Sequence, residues 1–512
     1  MAVLDDVAGL DGVIAPEAAA AAPGGAPVEE VDVLVVGAGI SGIGAAHHLR
    51  AERPGTTFLV VDALDGHGGT WRTHRYPGAR SDSDLFTFGY RWKPWKGAPL
   101  ATAEAIRTYL AEAIDDDGLA DRIRYRHTVQ AASWSSDEGR WTVQVLDQAA
   151  GTTVVVRARF LWMCQGYYRH DRPYTPDWPG LADFRGPVVH PQRWPDDLDL
   201  AGKRVVVIGS GATAATLIPA IAATAAHVTM LQRSPTFFIV RPNVNELAET
   251  LRELDVPDEW VHEIVRRKIV KEGAAIHRMA ADEPEALRAW LLDTMRAHLP
   301  DGFEVERHFN PTYRPWQQRI AVLLGDDLFA GIRDGSVSVV TDTIDRFTPD
   351  GIVLGTGATL DADVVITATG FDLSVFGEVP LCVDGAPVDP ATLVTYRGIM
   401  FTGLPNLAWV FGYFRASWTL RADLISDFVL RLLDRLDATG ARWVVPELRP
   451  GDHGMALGPW VDPEEFNPGY LTRSMHRMPR QGDRDPWRLE HEYIVERDAL
   501  PAADLDDGLR WH

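Results

Sequence analysis

Val31-Asp-Val-Leu-Val-Val36 running into Gly37-Ala-Gly39-Ile-Ser-Gly42 decides the fold. An apolar, β-branched run meets three glycines at G-x-G-x-x-G spacing, and an alanine-rich stretch follows. In a strand–turn–helix unit the glycines divide the work. Gly37 permits the tight turn, Gly39 lets the backbone approach a pyrophosphate, and Gly42 lets helix and strand pack closely. The helix N-terminus then turns unpaired N–H groups and positive potential towards the phosphates. A second apolar run, Phe58 to Val61, ends at Asp62, twenty residues after Gly42. A carboxylate there accepts the ribose hydroxyls of an adenosine; otherwise it is a surface acid closing a strand.

The pattern recurs once. Arg204-Val-Val-Val-Ile208 runs into Gly209-Ser-Gly211-Ala-Thr-Ala214, and the next strand, His227 to Leu231, ends in Gln232-Arg233-Ser234. An acid in that place would repel a 2′-phosphate, whereas Arg233 binds it through two parallel N–H donors. The first site therefore suits a dinucleotide with a free 2′-hydroxyl, and the second suits NADP(H). Two unlike sites in one chain predict a bound flavin, FAD, reduced by NADPH. The expected class is α/β: two Rossmann-like dinucleotide-binding domains, for FAD and NADP, with a helical insertion in the NADP domain.

Composition agrees with a globular enzyme of several domains. The 512 residues are 46% hydrophobic and 24% charged, with a net charge of −22. That balance disfavours nucleic acid or an anionic membrane as partner, since both need a basic face. It also demands a local cationic cleft, around Arg233 and Arg319, if an anionic cofactor is to bind. Two cysteines, Cys164 and Cys382, cannot make a disulfide framework or a Cys-x-x-Cys pair. They lie far from any motif in the sequence and read as buried, inert thiols in a reducing cytoplasm. His47-His48 has no partner at ligand spacing, so no metal is expected. The most apolar run, Ala212 to Met230, is broken by Pro219 and His227 and reads as a buried helix plus the next strand, so no membrane span is expected. Val261, Ile264, Val265 and Ile269 recur at helical spacing, as do Leu287, Trp290, Leu291 and Met295. These stripes predict a helical subdomain packing its own core. Of the 17 tryptophans, most read as packing.

Between the two units stands Phe184-Arg-Gly186-Pro-Val-Val-His190-Pro-Gln-Arg-Trp194-Pro195, and near the first unit Gly68-Gly69-Thr70-Trp71, Tyr76-Pro77-Gly78 and Asp82 follow in order. These match the F-x-G-x-x-x-H-x-x-x-W and G-G-x-W…[F/Y]-P-G…D patterns, so the chain resembles the type I Baeyer–Villiger monooxygenases. The segments Trp71 to Trp95, His308 to Arg319 and Pro486 to Leu489 resemble the subgroup with an ethionamide-activating member. The resemblance implies an NADPH- and O2-dependent FAD enzyme that forms a peroxyflavin, converts ketones to esters or lactones and can oxidise sulfides. A flavin monooxygenase restricted to S- or N-oxidation is the alternative. It also implies a small ketone or sulfide substrate and a monomer or homodimer. The expected division is a mobile tail at 1–30, the FAD domain at 31–170 and 367–512 (with a C-terminal tail), a fingerprint linker at 171–195, the NADP domain at 196–236 and 309–366, and the helical insertion at 237–308.

The resemblance carries roles to individual residues. The active-site arginine falls in Tyr313-Arg-Pro-Trp-Gln-Gln-Arg319: Arg319 is the expected residue and Arg314 the reserve. An arginine suits a site that must stay cationic when dry, because a buried lysine can lose its charge. Asp82 is the position that pairs with it; the plainer reading of Asp82 is a turn or helix cap, and Asp84 competes for either role. Gly69, Thr70 and Trp71 are expected near the flavin. Gln318 stands where many relatives carry lysine against the 2′-phosphate, which leaves the strictness for NADPH over NADH open. Phe184, Gly186, His190 and Trp194 are expected to hold a linker rather than to move protons. Phe86, Phe88, Tyr90, Trp92 and Trp95 either line a pocket or pack a core. The helix after Gly412 to Trp418 is expected to aim its N-terminus at the flavin.

Overall fold

The computed structural model describes residues 28–512. Its first strand, Val28–Val36, starts before the expected boundary, so Val28, Glu29 and Glu30 are sheet rather than tail. The rest of the expected tail, residues 1–27, lies outside the described residues. Val28–Val36 pairs in parallel with Phe58–Val61 on one side and Thr152–Met163 on the other. Strands His127–Ser135 and Arg140–Asp147 continue the sheet as an antiparallel meander. Leu407–Trp409 comes back from late in the chain to pair with Thr152–Met163. The result is a nine-stranded sheet covered on both faces. Alternation along Val28–Val36 sends Val33 and Val35 into one core with helix Ile40–Glu52 and the long helix Trp418–Thr439. It sends Leu34 and Val36 into another with Trp134, Trp141, Trp409 and Trp460. These four, with Trp162 and Trp487, are among the largest fully buried side chains, so packing accounts for them.

The second sheet is five-stranded and wholly parallel, in the order Val337–Thr341, His227–Gln232, Arg204–Ile208, Val364–Thr367, Val188–Val189. Helix Ala212–Ala222 packs on it with Pro219 inside, followed by the strand His227–Gln232, as the apolar run suggested. Val188–Val189 falls inside the expected linker yet belongs to this sheet.

The insertion departs from expectation. Its helices Glu246–Glu253, Asp258–Asp282 and Pro284–Arg296 form, but they close no core of their own. Val261 and Val265 pack into the core of the first sheet, while Ala280, Leu287, Leu291 and Met295 pack into that of the second. Ile264 and Trp290, expected in the stripes, are 38% and 46% exposed. The 25-residue helix Asp258–Asp282 thus bridges both cores. It is anchored by His262, whose Nδ1 accepts from the Trp95 N–H at 3.3 Å. Arg266 Nη1 also donates to the carbonyls of Phe86, Thr87 and Gly89 at 3.1, 3.1 and 2.9 Å.

The C-terminal region, expected to be an irregular tail, is tied in. Leu509–Trp511 pairs with Val444–Pro446, Trp487 donates to Asp452 at 2.7 Å, and the short helix Gly469–Ser474 reaches the cavity described next. Among the described residues, no helix is long and apolar enough to cross a membrane.

Candidate active site

A cavity of about 1000 Å³ lies where the carboxyl ends of the central strands of both sheets converge. Of the residues singled out from sequence, Gly37, Gly39, Asp62, Gly69, Thr70, Trp71, Asp82, Gly209, Gly211, Arg233, Ser234, Gln318 and Arg319 all border it. Gly42 and Ala214 do not; they pack. A Cβ on Gly42 would stand 1.7 Å from the Gly37 carbonyl oxygen, and Ala214 is fully buried.

At the first loop, Gly37 adopts φ +107°, and its neighbour is the Cys164 carbonyl after strand Thr152–Met163. Helix Ile40–Glu52 begins at Gly39 without a side-chain cap, which leaves its first N–H groups to a ligand. Gly69, at φ +53°, crosses directly over Gly39, so the Gly-Gly-Thr-Trp segment roofs this loop. Asp62 is buried and accepts from the N–H of Ala38 at 2.6 Å and Leu64 at 2.7 Å. Burial pushes its pKa above the ordinary carboxylate value, and those two donors oppose the shift. Behind this wall lies Gln165, whose side-chain oxygen and nitrogen are both buried without a partner. An unsatisfied amide beside an uncapped helix and a glycine turn fits a polar flavin dinucleotide.

At the second loop, Gly209 takes φ +126° against the Ala368 carbonyl, and helix Ala212–Ala222 starts at an uncapped Gly211. Nothing lies within 4 Å of a Cβ placed on Gly211, so the backbone is open to the cavity. Arg233 and Ser234 are exposed at the end of strand His227–Gln232. Gln318 donates to Asn467 at 3.3 Å and supplies no charge. These residues fit the phosphates of NADP(H).

Between the loops, Arg319 stands 3.9 Å from Asp82. Burial works against its charge and the Asp82 carboxylate favours it, and the guanidinium stays protonated. Its Nε is buried without a hydrogen-bond partner. Burial also keeps the phenols of Tyr167, Tyr168 and Tyr470 protonated; Tyr167 donates to Tyr168 at 2.9 Å and stacks on Trp418, with ring centroids 5.1 Å apart. Trp418 opens the long helix and donates to Ser41 at 2.7 Å. Trp71 packs against the cores of both sheets. The arrangement is a permanent cation in an aromatic, partly water-excluding pocket between two glycine loops.

Competing assignments separate by geometry. Asp84, not Asp82, is the helix cap: it accepts from the Phe86 N–H at 3.0 Å at the start of Leu85–Phe88. Arg314 turns away from the cavity, donating to the Glu464 carbonyl at 2.7 Å. Of the aromatic set, Phe88 borders the cavity, while Phe86, Tyr90 and Trp95 are buried in the core.

The fingerprint residues lie behind the cavity. Phe184 packs edge-on to Phe347, and a Cβ on Gly186 would meet the Asp363 carbonyl at 2.2 Å. His190 accepts from the Gln192 N–H and donates to the Gly370 carbonyl, both at 3.2 Å. That tautomer is neutral, and burial lowers its pKa to about 4. It ties the first connection between the sheets to the returning one, Ala368-Thr369-Gly370. Trp194 packs on the core of the second sheet.

Two expectations fail. Cys164 is buried as expected, but it lies at the first loop rather than far from any motif. His47 and His48 do have partners: His47 meets Asp117 at 2.7 Å, and His48 meets Glu52 at 2.8 Å close to Asp427. Arg91 holds both Asp427 oxygens, so these groups form an ion-pair network. Gln165, Tyr167, Tyr168, Tyr470 and Arg473 border the cavity and escaped the motif reading. The first three follow a strand that neighbours the first strand, where open α/β sheets place ligands, and that signal was available.

Comparison with known proteins gives matches over most of the chain. Residues 100–251 match the flavin-binding monooxygenase-like family, and residues 35–95 match the NAD(P)-binding Rossmann-like domain. The FAD-containing monooxygenase EthA of Mycobacterium tuberculosis is 44% identical over 486 residues, covering 94% of this chain and 98% of that protein. EthA of Mycolicibacterium smegmatis is 45% identical over 481 residues, covering 94% and 96%. A steroid monooxygenase solved with NADP superposes with a TM-score of 0.73 at 26% identity, covering 94% of this chain and 99% of that one.

Proposed function

Because the chain belongs to the family of FAD-containing monooxygenases, we propose that it uses NADPH and O2 to insert one oxygen atom beside the carbonyl of a ketone, and that it also converts sulfides to sulfoxides. NADPH supplies two electrons, one oxygen atom enters the ester, lactone or sulfoxide, and the other leaves as water. FAD, when bound, supplies the ring that takes hydride from NADPH and activates O2. The observation that carries the reading is Arg319, a half-buried, permanently charged guanidinium facing Asp82 between the two glycine loops.

Each residue has a task in this reading. The N–H groups after Gly39, with Asp62, hold the FAD dinucleotide; those after Gly211, with Arg233 and Ser234, hold NADP(H). Arg319 stabilises negative charge developing on oxygen at no cost in proton transfer, since it stays protonated throughout. Asp82 orients that guanidinium without neutralising it through close contact. Tyr167, Tyr168, Tyr470 and Trp418 exclude water, which strengthens the field of the cation.

The test is rapid mixing of NADPH-reduced, FAD-loaded protein with O2 in the presence of NADP+. A transient absorbance distinct from reduced and oxidised flavin is expected, with ester appearing from added ketone. A prompt return to oxidised flavin with no such phase refutes the reading. Arg319→Ala is expected to keep FAD and lose ester formation; full activity in that variant removes Arg319 from the reaction. A panel of ketones and aryl sulfides, scored by coupled NADPH consumption, identifies the substrate class.

A further inference from the structure

Arg473 sits on the short helix Gly469–Ser474 and borders the same cavity as Arg233. Its guanidinium carbon lies over the Tyr174 ring, 3.5 Å from the centroid, and Nη2 donates to the Phe371 carbonyl at 3.1 Å. Its Nε is buried with no hydrogen-bond partner. Other arginines at the cavity wall have acids: Arg80 meets Asp327 at 2.8 Å, and Arg319 meets Asp82 at 3.9 Å. Among the described residues, Arg473 and Arg233 have no carboxylate within 4.0 Å. A half-buried guanidinium with no carboxylate in contact is costly unless an anion completes it.

The electrostatics point the same way. Burial lowers the pKa of Arg473; Tyr174 and the more distant Asp372 carboxylate oppose that shift, and the positive charge of Arg233 adds to it, so the two guanidinium groups feel one another across the cavity. Gln318, which lies nearby, is neutral and engaged with Asn467. The two cations come from different parts of the fold. Arg233 ends a strand of the second sheet, whereas Arg473 follows the long helix that packs on the first.

We propose that Arg473 is a second phosphate-binding cation of the NADP(H) site, held by Tyr174 and acting together with Arg233. This rests on the reading of the second glycine loop as the NADP(H) site. The contact with the ring explains the residue type, since a guanidinium over a ring can still present its N–H edge to a phosphate, which an ammonium does less well. The ligand class is an adenine dinucleotide phosphate, and the consequence is that NADP(H) is gripped from both halves of the molecule.

The test uses FAD-loaded, oxidised protein titrated with NADP+, read by perturbation of the flavin spectrum. Arg473→Met is expected to weaken NADP+ at least tenfold while FAD content and melting temperature stay as in the parent. Arg473→Lys, which keeps charge but not the guanidinium, is expected to fall between. Arg233→Gln serves as the reference. If Arg233→Gln weakens NADP+ and Arg473→Met does not, the assignment of Arg473 is overturned and the NADP(H) site stands. If neither variant moves NADP+ affinity, the reading of the second loop itself is overturned. Unchanged NADP+ affinity with a raised KM for an anionic substrate also overturns the proposal. Should Arg473→Met fail to hold FAD, Tyr174→Leu removes the platform and leaves the charge, and unchanged NADP+ affinity there is equally decisive against it.

Discussion

Placing an alanine at Gly42 sets its Cβ 1.7 Å from the Gly37 carbonyl oxygen, whereas real Cβ contacts essentially never fall below 3.0 Å. Helix Ile40–Glu52 must therefore retreat by the difference, 1.3 Å or more, because neither atom belongs to a flexible side chain. Its uncapped N–H groups retreat with it, away from a pyrophosphate held at the first loop. Losing one hydrogen bond to a charged group costs about 1.5–3 kcal/mol, or about ten- to 150-fold in affinity. The assay is titration of FAD into flavin-stripped protein, followed by fluorescence quenching. Gly211→Ala is the built-in control: its φ of −75° suits any residue, and nothing lies within 4 Å of the new Cβ. That variant is expected to fold and hold FAD normally while binding NADP+ more weakly. Parental FAD affinity in Gly42→Ala would refute the argument that helix and strand are locked together at this glycine.

Three further outcomes follow from the geometry. Asp84→Ala removes a helix cap and is expected to cost about 1 kcal/mol of stability with oxygenation intact, whereas Asp82→Asn is expected to keep the fold and raise hydrogen peroxide released per NADPH; equal effects of the two on peroxide yield would refute the separation of roles. Arg266→Leu strands three carbonyls around Phe86 to Gly89 and is expected to cost about 3–5 kcal/mol, read by denaturant titration. Burial lowers the pKa of His190 and His262 to about 4 and of His74 and His491 to about 3. The fold thus favours the neutral form of each, so their contribution is complete above about pH 6.5 and is lost as pH falls towards 4 for His190 and His262 and towards 3 for His74 and His491. At pH 5 these four groups add about 5 kcal/mol per pH unit to the slope of stability, and His190→Gln is expected to flatten it by about 1.2; an unchanged slope would show that His190 is not kept neutral.

The two glycine loops were legible because their demands are local: a positive φ at Gly37 and Gly209, and a close approach at Gly42, are fixed within a dozen residues. The acid at 62 and the arginine at 233 were legible for the same reason, each ending the strand after its loop. The nearness of Arg319 to Asp82 was not, since 237 positions separate them; family resemblance suggested it. The insertion was misjudged because helical spacing shows that a face is buried but not against what, and Val261 and Leu287 turned out to face different cores. Arg473 and Tyr174 carry no motif, and only the folded chain brings them into contact.

The helix Asp258–Asp282 has a consequence for modularity. Because it is a structural member of both cores, neither cofactor half can be excised as an autonomous piece, and a chimera joining halves from two relatives must match the partner surfaces at both ends of this one helix. Thermal unfolding should accordingly be a single cooperative event rather than two, as each half loses a wall when the other melts. Recombination within the family is then tolerated at crossover points that leave residues 258–282 with both of its seats, and penalised where it parts them.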